Sequence, residues 1–385
     1  MITAAPVPIV TEHFARSVAA TMQFFGEHSP RVAGCCRRMA DHFARGGTLK
    51  VMGEGAQTSD AQHVAVEFVH PIIVGKRALP AVWITSDVGG SASDIVVGLC
   101  TAGAPAPIAA TMTGARERGA LTILVTGNAP LSDPSVDFCF QVADANPLVI
   151  QEVSETLYHV LWELVHVFFE ADEAELTAFL PRAAGGSQQA DLIAGVQGSM
   201  VEKARDICAL RATVQNQCGP RILAAGRAIA DRIRANGKLL AFGNGGSATD
   251  AQDVAADCLW PPLPGWQRLP AMALTNDASV VTAIGNDVGF DHVFSRQIIA
   301  FGRAEDVALG FSTSGASRNV MAALTEARAR GLLTIAMSGG DGGELARSSV
   351  VDFCFTAPSE HLPRIQEAHA TIWHALLSVV QEERR

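Results

Sequence analysis

The sequence predicts two tandem α/β domains, each built on a mostly parallel sheet. Three observations carry this expectation. Residues 37–71 lie over 227–261 without a gap, at a constant spacing of 190 residues from Gly53 to Gly243. Short apolar runs alternate with helix-compatible stretches, the pattern of a parallel sheet covered on both faces. A glycine-rich turn follows one such run and opens a helix, which is how an α/β protein builds a cradle for an anion.

The repeat continues along the chain. Arg116–Ile123 matches Arg328–Ile335, with the spacing grown to 212 residues. Val136–Phe140 recurs as Val351–Phe355, and Ile150-Gln151-Glu152 as Ile365-Gln366-Glu367, both 215 residues on. A period this long marks a duplicated domain, not a solenoid. The first copy is expected over 1–170, a connection containing Pro181 to Ser187 over 171–192, and the second copy over 193–385. In the second copy an amphipathic helix, Val201 to Ala235, comes first. Strand candidates follow at Leu239–Phe242, Ala271–Leu274, Val307–Phe311, Leu333–Met337 and Val351–Phe355, and a helix from Arg364 to Glu383 closes the domain. The growing spacing means that the first copy lacks most of what corresponds to Ala278–Glu305.

Composition narrows the function. The chain has 385 residues, 48% hydrophobic and 18% charged, with a net charge of −10. A nucleic-acid partner is not expected, because its phosphates require basic surface. The eight cysteines contain no C-x-x-C spacing and read as reduced thiols of a cytoplasmic protein. Met1 to Val10 lacks the pattern of a signal peptide, and no apolar run is long enough to span a membrane.

Chemistry concentrates at two loops of the second copy. Gly243-Asn244-Gly245-Gly246-Ser247 follows the run Leu239–Phe242, and Ser312-Thr313-Ser314-Gly315-Ala316-Ser317 follows Val307–Phe311. Both sit where ligands of parallel sheets bind, beyond the carboxyl ends of the strands. The first copy reads Gly53-Glu54-Gly55-Ala56-Gln57 and Cys100-Thr101-Ala102-Gly103 there. A carboxylate stands where an anion would go, so the second copy is expected to keep the phosphate chemistry and the first to have lost it.

GNGGS (243–247), AIGNDVGFDHVFSRQ (283–297), STSGAS (312–317) and RIQEAH (364–369), in that order, resemble the SIS-domain sugar isomerases, especially the phosphoheptose isomerases. Those enzymes interconvert sedoheptulose 7-phosphate and heptose 7-phosphate. The resemblance covers the second copy and, more faintly, the first, and implies two SIS-like α/β/α sandwiches with flavodoxin-like sheets. It further implies a phosphate held by Asn244, Ser247, Ser312, Thr313, Ser314 and Ser317, with Asp277 near the sugar. Because proteins of that family assemble as tetramers, a homodimer forming a four-domain assembly is expected, and because their active sites lie at subunit interfaces, groups from both copies are expected to complete one site.

An aldose–ketose shift needs a base that moves a proton between neighbouring carbons, and an acid or metal that steadies the enediolate. The family supplies H-x3-E on one helix and Q-x7-H on a later one. The first copy keeps this set as His63, Glu67, Gln151 and His159, a candidate site for a divalent metal, zinc by its ligand types. The second copy reads Asp253, Asp257, Gln366 and His374. Asp257 and His374 are the candidate base and acid there, with Gln366 orienting or ligating. Two bland readings compete: His63 and Glu67 as a surface helix pair, and His159 as a core histidine. A rival for the whole chain is a non-catalytic sugar-phosphate sensor or partner-binding module. The aspartate replacements favour it, as do Pro363 and Leu148 at a position where the family often has aspartate. The absence of a basic residue near Pro261 and Pro71 points the same way.

Overall fold

A computed structural model describes residues 8–71, 76–128, 136–169 and 188–384. Of the expected connection, 171–187 lie outside the described residues, as does most of the amino-terminal stretch read for a leader. The chain divides into two compact units, Ser17–Cys208 (the N-terminal unit) and Ala209–Arg385 together with Met1–Arg16 (the C-terminal unit).

The N-terminal unit carries most of α1 (Pro8–Ala44), then β1 (Leu49–Gly53), α2 (Gln57–Val69), β2 (Ala81–Trp83), β3 (Ile95–Leu99), α3 (Ala106–Glu117), β4 (Leu121–Gly127), β5 (Phe138–Val142) and α4 (Pro147–Val167). The start of α5 (Gln188–Arg234) also belongs to it. The C-terminal unit contains the rest of α5, then β6 (Leu239–Phe242), α6 (Gly246–Leu259), β7 (Ala271–Ala273), α7 (Ala278–Asp287), a 3-10 turn (Phe290–His292) and α8 (Ser295–Phe301). It continues with β8 (Val307–Ser312), α9 (Arg318–Ala329), β9 (Leu333–Gly339), α10 (Gly343–Arg347), β10 (Phe353–Ala357) and α11 (Leu362–Glu382).

Each unit has a five-stranded sheet, ordered β2-β1-β3-β4-β5 in one and β7-β6-β8-β9-β10 in the other. Every ladder is parallel. This is the flavodoxin-like order, in which the chain reverses direction beside the first strand and opens a crevice at the strand ends. The central strands are buried along their length, as their continuous apolar runs require. The last strand starts at Phe353 instead of the expected Val351. Asp352 is occupied in bonding: its carboxylate accepts from the Thr334 amide at 3.0 Å and its own amide donates to Thr334 O. In the N-terminal unit the Asp137 carboxylate likewise accepts from the Thr122 amide at 3.0 Å, and its own amide donates to Thr122 Oγ1 at 3.0 Å.

The stretch that the first copy lacks is α7, the 3-10 turn and α8. Residues 84–94, which join β2 to β3, contain no helix. Phe294 and Ile298 of this insertion pack with Leu240 of β6 in one buried cluster. An aspartate anchors the entry to the first strand in both units. Asp94 accepts from the Thr48 amide at 3.0 Å and from Lys50 Nζ at 2.9 Å. Asp306 accepts from the Lys238 amide at 2.9 Å and from Lys238 Nζ at 2.5 Å.

Candidate active site

The two loops of the C-terminal unit form a cradle at the ends of β6 and β8. Gly245 adopts φ 57° just before α6, a region that a side chain would strain. Ser247 is buried in the first turn of α6, and Ser317 stands at the start of α9 without a side-chain capping bond. Ser312 Oγ lies 2.8 Å from Ser317 Oγ and 3.5 Å from Ser314 Oγ. Thr313 is half-buried and Ser314 exposed in the same turn. Two helix N-termini, with their free amides, therefore open onto a cluster of hydroxyls, an arrangement suited to a dianion. The loop is braced from behind. A Cβ on Gly315 would lie 2.3 Å from Gly342 O, so the 339–343 turn fits against it backbone to backbone.

The sequence reading missed Asn319. Its carboxamide pairs reciprocally with that of Asn244, at 2.8 and 2.9 Å, and ties one loop to the other. Asp277, expected near the sugar, is exposed and caps α7, accepting from the Val280 amide at 3.0 Å.

None of the hydroxyl cluster survives in the N-terminal unit except Thr101. Cys100 replaces Ser312, Pro105 replaces Ser317 and Pro107 replaces Asn319, while Glu54 stands for Asn244. Burial pushes the Cys100 thiol up to about 12, so it is neither an anion nor a nucleophile. Gln57, in the place of Ser247, is 1% exposed, and neither atom of its carboxamide has a hydrogen-bond partner among the described residues.

Deeper in the C-terminal unit, Asp257 of α6 and His374 of α11 are both buried, with His374 Nε2 3.6 Å from Asp257 Oδ2. The Trp373 indole donates to the same Oδ2 at 3.0 Å. Asp257 Oδ1 is buried without a hydrogen-bond partner among the described residues. A buried carboxylate with one oxygen uncommitted is the form a proton-accepting base takes. His13, from the first turns of α1, sets its ring edge-on to His374 with centroids 6.0 Å apart. Gln366 is buried two helical turns nearer the strand ends, beside Ile365, whose side chain closes on Gly339. Asp253 is half-buried, one turn before Asp257. Pro363, the departure noted in the sequence, lies in the first turn of α11, where the missing amide costs nothing.

In the N-terminal unit the expected metal-type set converges. His63, Glu67 and His159 each present one ligand atom within 4.8 Å of the others, all three buried. His63 Nε2 is 3.6 Å from Glu67 Oε1, and the rings of His63 and His159 meet edge to face at 5.1 Å. The surface-pair reading is therefore wrong, since His63 is 0% and Glu67 1% exposed. Glu67 Oε2 is buried with no hydrogen-bond partner among the described residues. Two imidazoles and a carboxylate are a donor set suited to zinc. Gln151 donates from Nε2 to Asp60 Oδ2 at 3.0 Å. Tyr158 Oη stands 3.1 Å from His63 Nδ1 and 3.2 Å from Asp60 Oδ1.

Comparisons with known proteins agree with this architecture. Residues 204–339 match the SIS domain family. A phosphoheptose isomerase of Rhodospirillum rubrum is 44% identical over 165 residues, which is 43% of this chain and 87% of that protein. One of Geobacter metallireducens is 46% identical over 169 residues, 44% of this chain and 88% of that protein. Two solved structures share the fold across nearly the whole chain. The C-terminal domain of glucosamine-fructose-6-phosphate aminotransferase from Francisella tularensis gives a TM-score of 0.61 at 9% identity, over 98% of this chain and 94% of that one. Tagatose-6-phosphate ketose/aldose isomerase from Escherichia coli gives 0.56 at 13% identity, over 100% of this chain and 96% of that one.

Proposed function

This chain belongs to the SIS-domain family, in the group of the phosphoheptose isomerases, and from that premise we propose that it is an aldose–ketose isomerase of a phosphorylated sugar, with sedoheptulose 7-phosphate and heptose 7-phosphate as its pair. The observation that carries the reading is the joint presence, in the C-terminal unit, of a hydroxyl-lined cradle and a buried carboxylate–histidine pair. Asn244, Ser247, Ser312, Thr313, Ser314 and Ser317 hold the phosphate. Asp277 fixes the start of α7 at the rim of the site.

Ten residues of α6 separate Ser247 from Asp257, a rise of about 15 Å. A phosphate at one end and a reacting carbon at the other favour a long, open-chain sugar. Asp257 Oδ1 takes the proton from the carbon beside the carbonyl, and the electrons of that C–H bond form the enediolate double bond. His374 delivers a proton to the carbonyl oxygen. Asp257 returns its proton to the neighbouring carbon while the second hydroxyl gives its proton back to His374, so nothing is gained or lost overall. Trp373 holds Oδ2 and leaves Oδ1 to do the transfer, and Gln366 orients the sugar between cradle and base.

A divalent ion, zinc by its donor set, would be held by His63, Glu67 and His159, with Gln151 Oε1 as a fourth donor. When bound it supplies positive charge to an oxygen ligand. The homodimer implied by the family and a cytoplasmic location complete the proposal. Light scattering at the mass of one chain would remove the former. Among the described residues no helix is long and apolar enough to cross a membrane.

The second reading, a sugar-phosphate binder without turnover, draws on Asp253 and Asp257 standing where the family has histidine and glutamate. One experiment separates the two. The chain is incubated with sedoheptulose 7-phosphate in D₂O and followed by NMR. Deuterium at C2 together with aldose product supports isomerisation. Saturable binding without exchange hands the case to the binder, and no binding rejects this sugar.

A further inference from the structure

We propose that Tyr158 and Asp60 are the positioning residues of a metal centre built on His63, Glu67 and His159, a proposal that rests on the metal reading above. The argument is one of hydrogen-bond polarity. An ionised carboxylate only accepts, so the Tyr158 hydroxyl proton points to Asp60 Oδ1 at 3.2 Å. The phenol oxygen then accepts from His63 Nδ1–H at 3.1 Å. That fixes the imidazole as the Nδ1–H tautomer and leaves the Nε2 lone pair on the side of Glu67, 3.6 Å away. Asp60 is itself held, since its other oxygen accepts from Gln151 Nε2 at 3.0 Å. Asp60 therefore governs two candidate ligands at once, one through the tyrosine and one directly. Outer partners of this kind orient a metal's ligands and raise their basicity.

The C-terminal unit lacks the device. Tyr158 corresponds to Trp373, which can donate but not accept, and its indole N–H is spent on Asp257 Oδ2 at 3.0 Å. Asp253 stands in the place of His63 and has no second ring nitrogen through which an outer residue could set its charge. The same two helix positions thus support a metal ligand in one unit and restrain a carboxylate in the other.

The test uses the full chain, stripped of metal and titrated with zinc against a chromogenic chelator, and with cobalt(II) for its absorption spectrum. The expected stoichiometry is one ion per chain, lost in His63→Ala. Tyr158→Phe keeps the ring and removes only the hydroxyl. It should weaken zinc binding 10- to 100-fold and change the cobalt spectrum, with the far-ultraviolet circular dichroism of the metal-free chain preserved. Asp60→Asn, which leaves the tyrosine in place, should also weaken zinc, and it carries the test if Tyr158→Phe does not fold. Zinc held by a folded Tyr158→Phe or Asp60→Asn as tightly as by the wild type overturns the proposal while leaving the metal reading intact. A wild-type chain that binds no zinc overturns the metal reading itself.

Discussion

The two units share a sheet order, a strand count and the Asp–Thr bonds that start their last strands, yet they differ at most of the polar side chains of the two loops beyond the strand ends. The N-terminal unit has exchanged the hydroxyls of its second loop for Cys100, Pro105 and Pro107 and has kept two histidines and a glutamate. The C-terminal unit has kept the hydroxyls and has Asp253 and Asp257 in place of His63 and Glu67. The difference teaches that buried packing conserves the frame, while the loops beyond the strands change independently of it and of each other.

The comparison breaks most visibly at the base. Asp257→Asn should lower turnover of the sugar phosphate by about 10²–10⁴-fold with substrate binding retained. Steady-state kinetics on that variant beside Glu67→Gln would locate the proton transfer. If Glu67→Gln stops exchange and Asp257→Asn does not, the proposed base lies in the wrong unit.

A smaller effect separates the units by pH. His369 of the C-terminal unit is fully buried, and burial lowers it to about 4, with its bond to Ser338 O at 3.0 Å opposing the shift. Its counterpart is Ser154, which donates to Ile150 O. Below its ordinary value of 6.5 the unfolded chain takes up a proton that the folded chain refuses until about 4. The stability from keeping His369 neutral is thus complete above 6.5 and lost as pH falls to 4, by up to roughly 3 kcal/mol. Urea unfolding at several pH values should show this acid limb, and His369→Gln, which keeps a donor toward Ser338, should flatten it.

Ser312→Cys installs the N-terminal residue in the C-terminal cradle. It removes a hydrogen bond to a charged group, about 1.5–3 kcal/mol, and should raise KM for the sugar phosphate roughly tenfold or more. An unchanged KM would mean that Ser312 does not touch the phosphate. The mildest change is Asn319→Ala, which strands the Asn244 carboxamide and should cost about 1 kcal/mol of stability, measurable by denaturant titration.

Much of this was legible in the sequence. The repeat spacing gave the duplication, its growth gave the insertion that became α7 and α8, and the glycine-rich turns marked both loops. The set His63, Glu67 and His159 was recognised by type, but its depth was not. A helix pair at i and i+4 reads the same whether α2 shows that face to water or to α4. Tyr158 and Asn319 passed unnoticed because each looks like ordinary core or helix-start material beside a residue that belongs to a motif. Only the fold puts Tyr158 between Asp60 and His63, residues 95 or more positions away. Asp277 was ambiguous for a related reason, since an aspartate at a helix start serves capping as readily as a ligand.

The anchoring lysines hold a lesson for engineering. In the N-terminal unit the ammonium comes from position 50, whose equivalent is Leu240; in the C-terminal unit it comes from 238, whose equivalent is Thr48. A column-by-column alignment scores these as two unrelated replacements. They are one event: Phe294 and Ile298 roof over position 240 and make it core, so the charge withdrew two residues along the same face to the strand's rim. There it also caps the last carbonyl of α8, Phe301 O, at 2.7 Å. Grafting the α7–α8 segment into the N-terminal unit would therefore require the exchange of Lys50 for leucine and Thr48 for lysine in the same step.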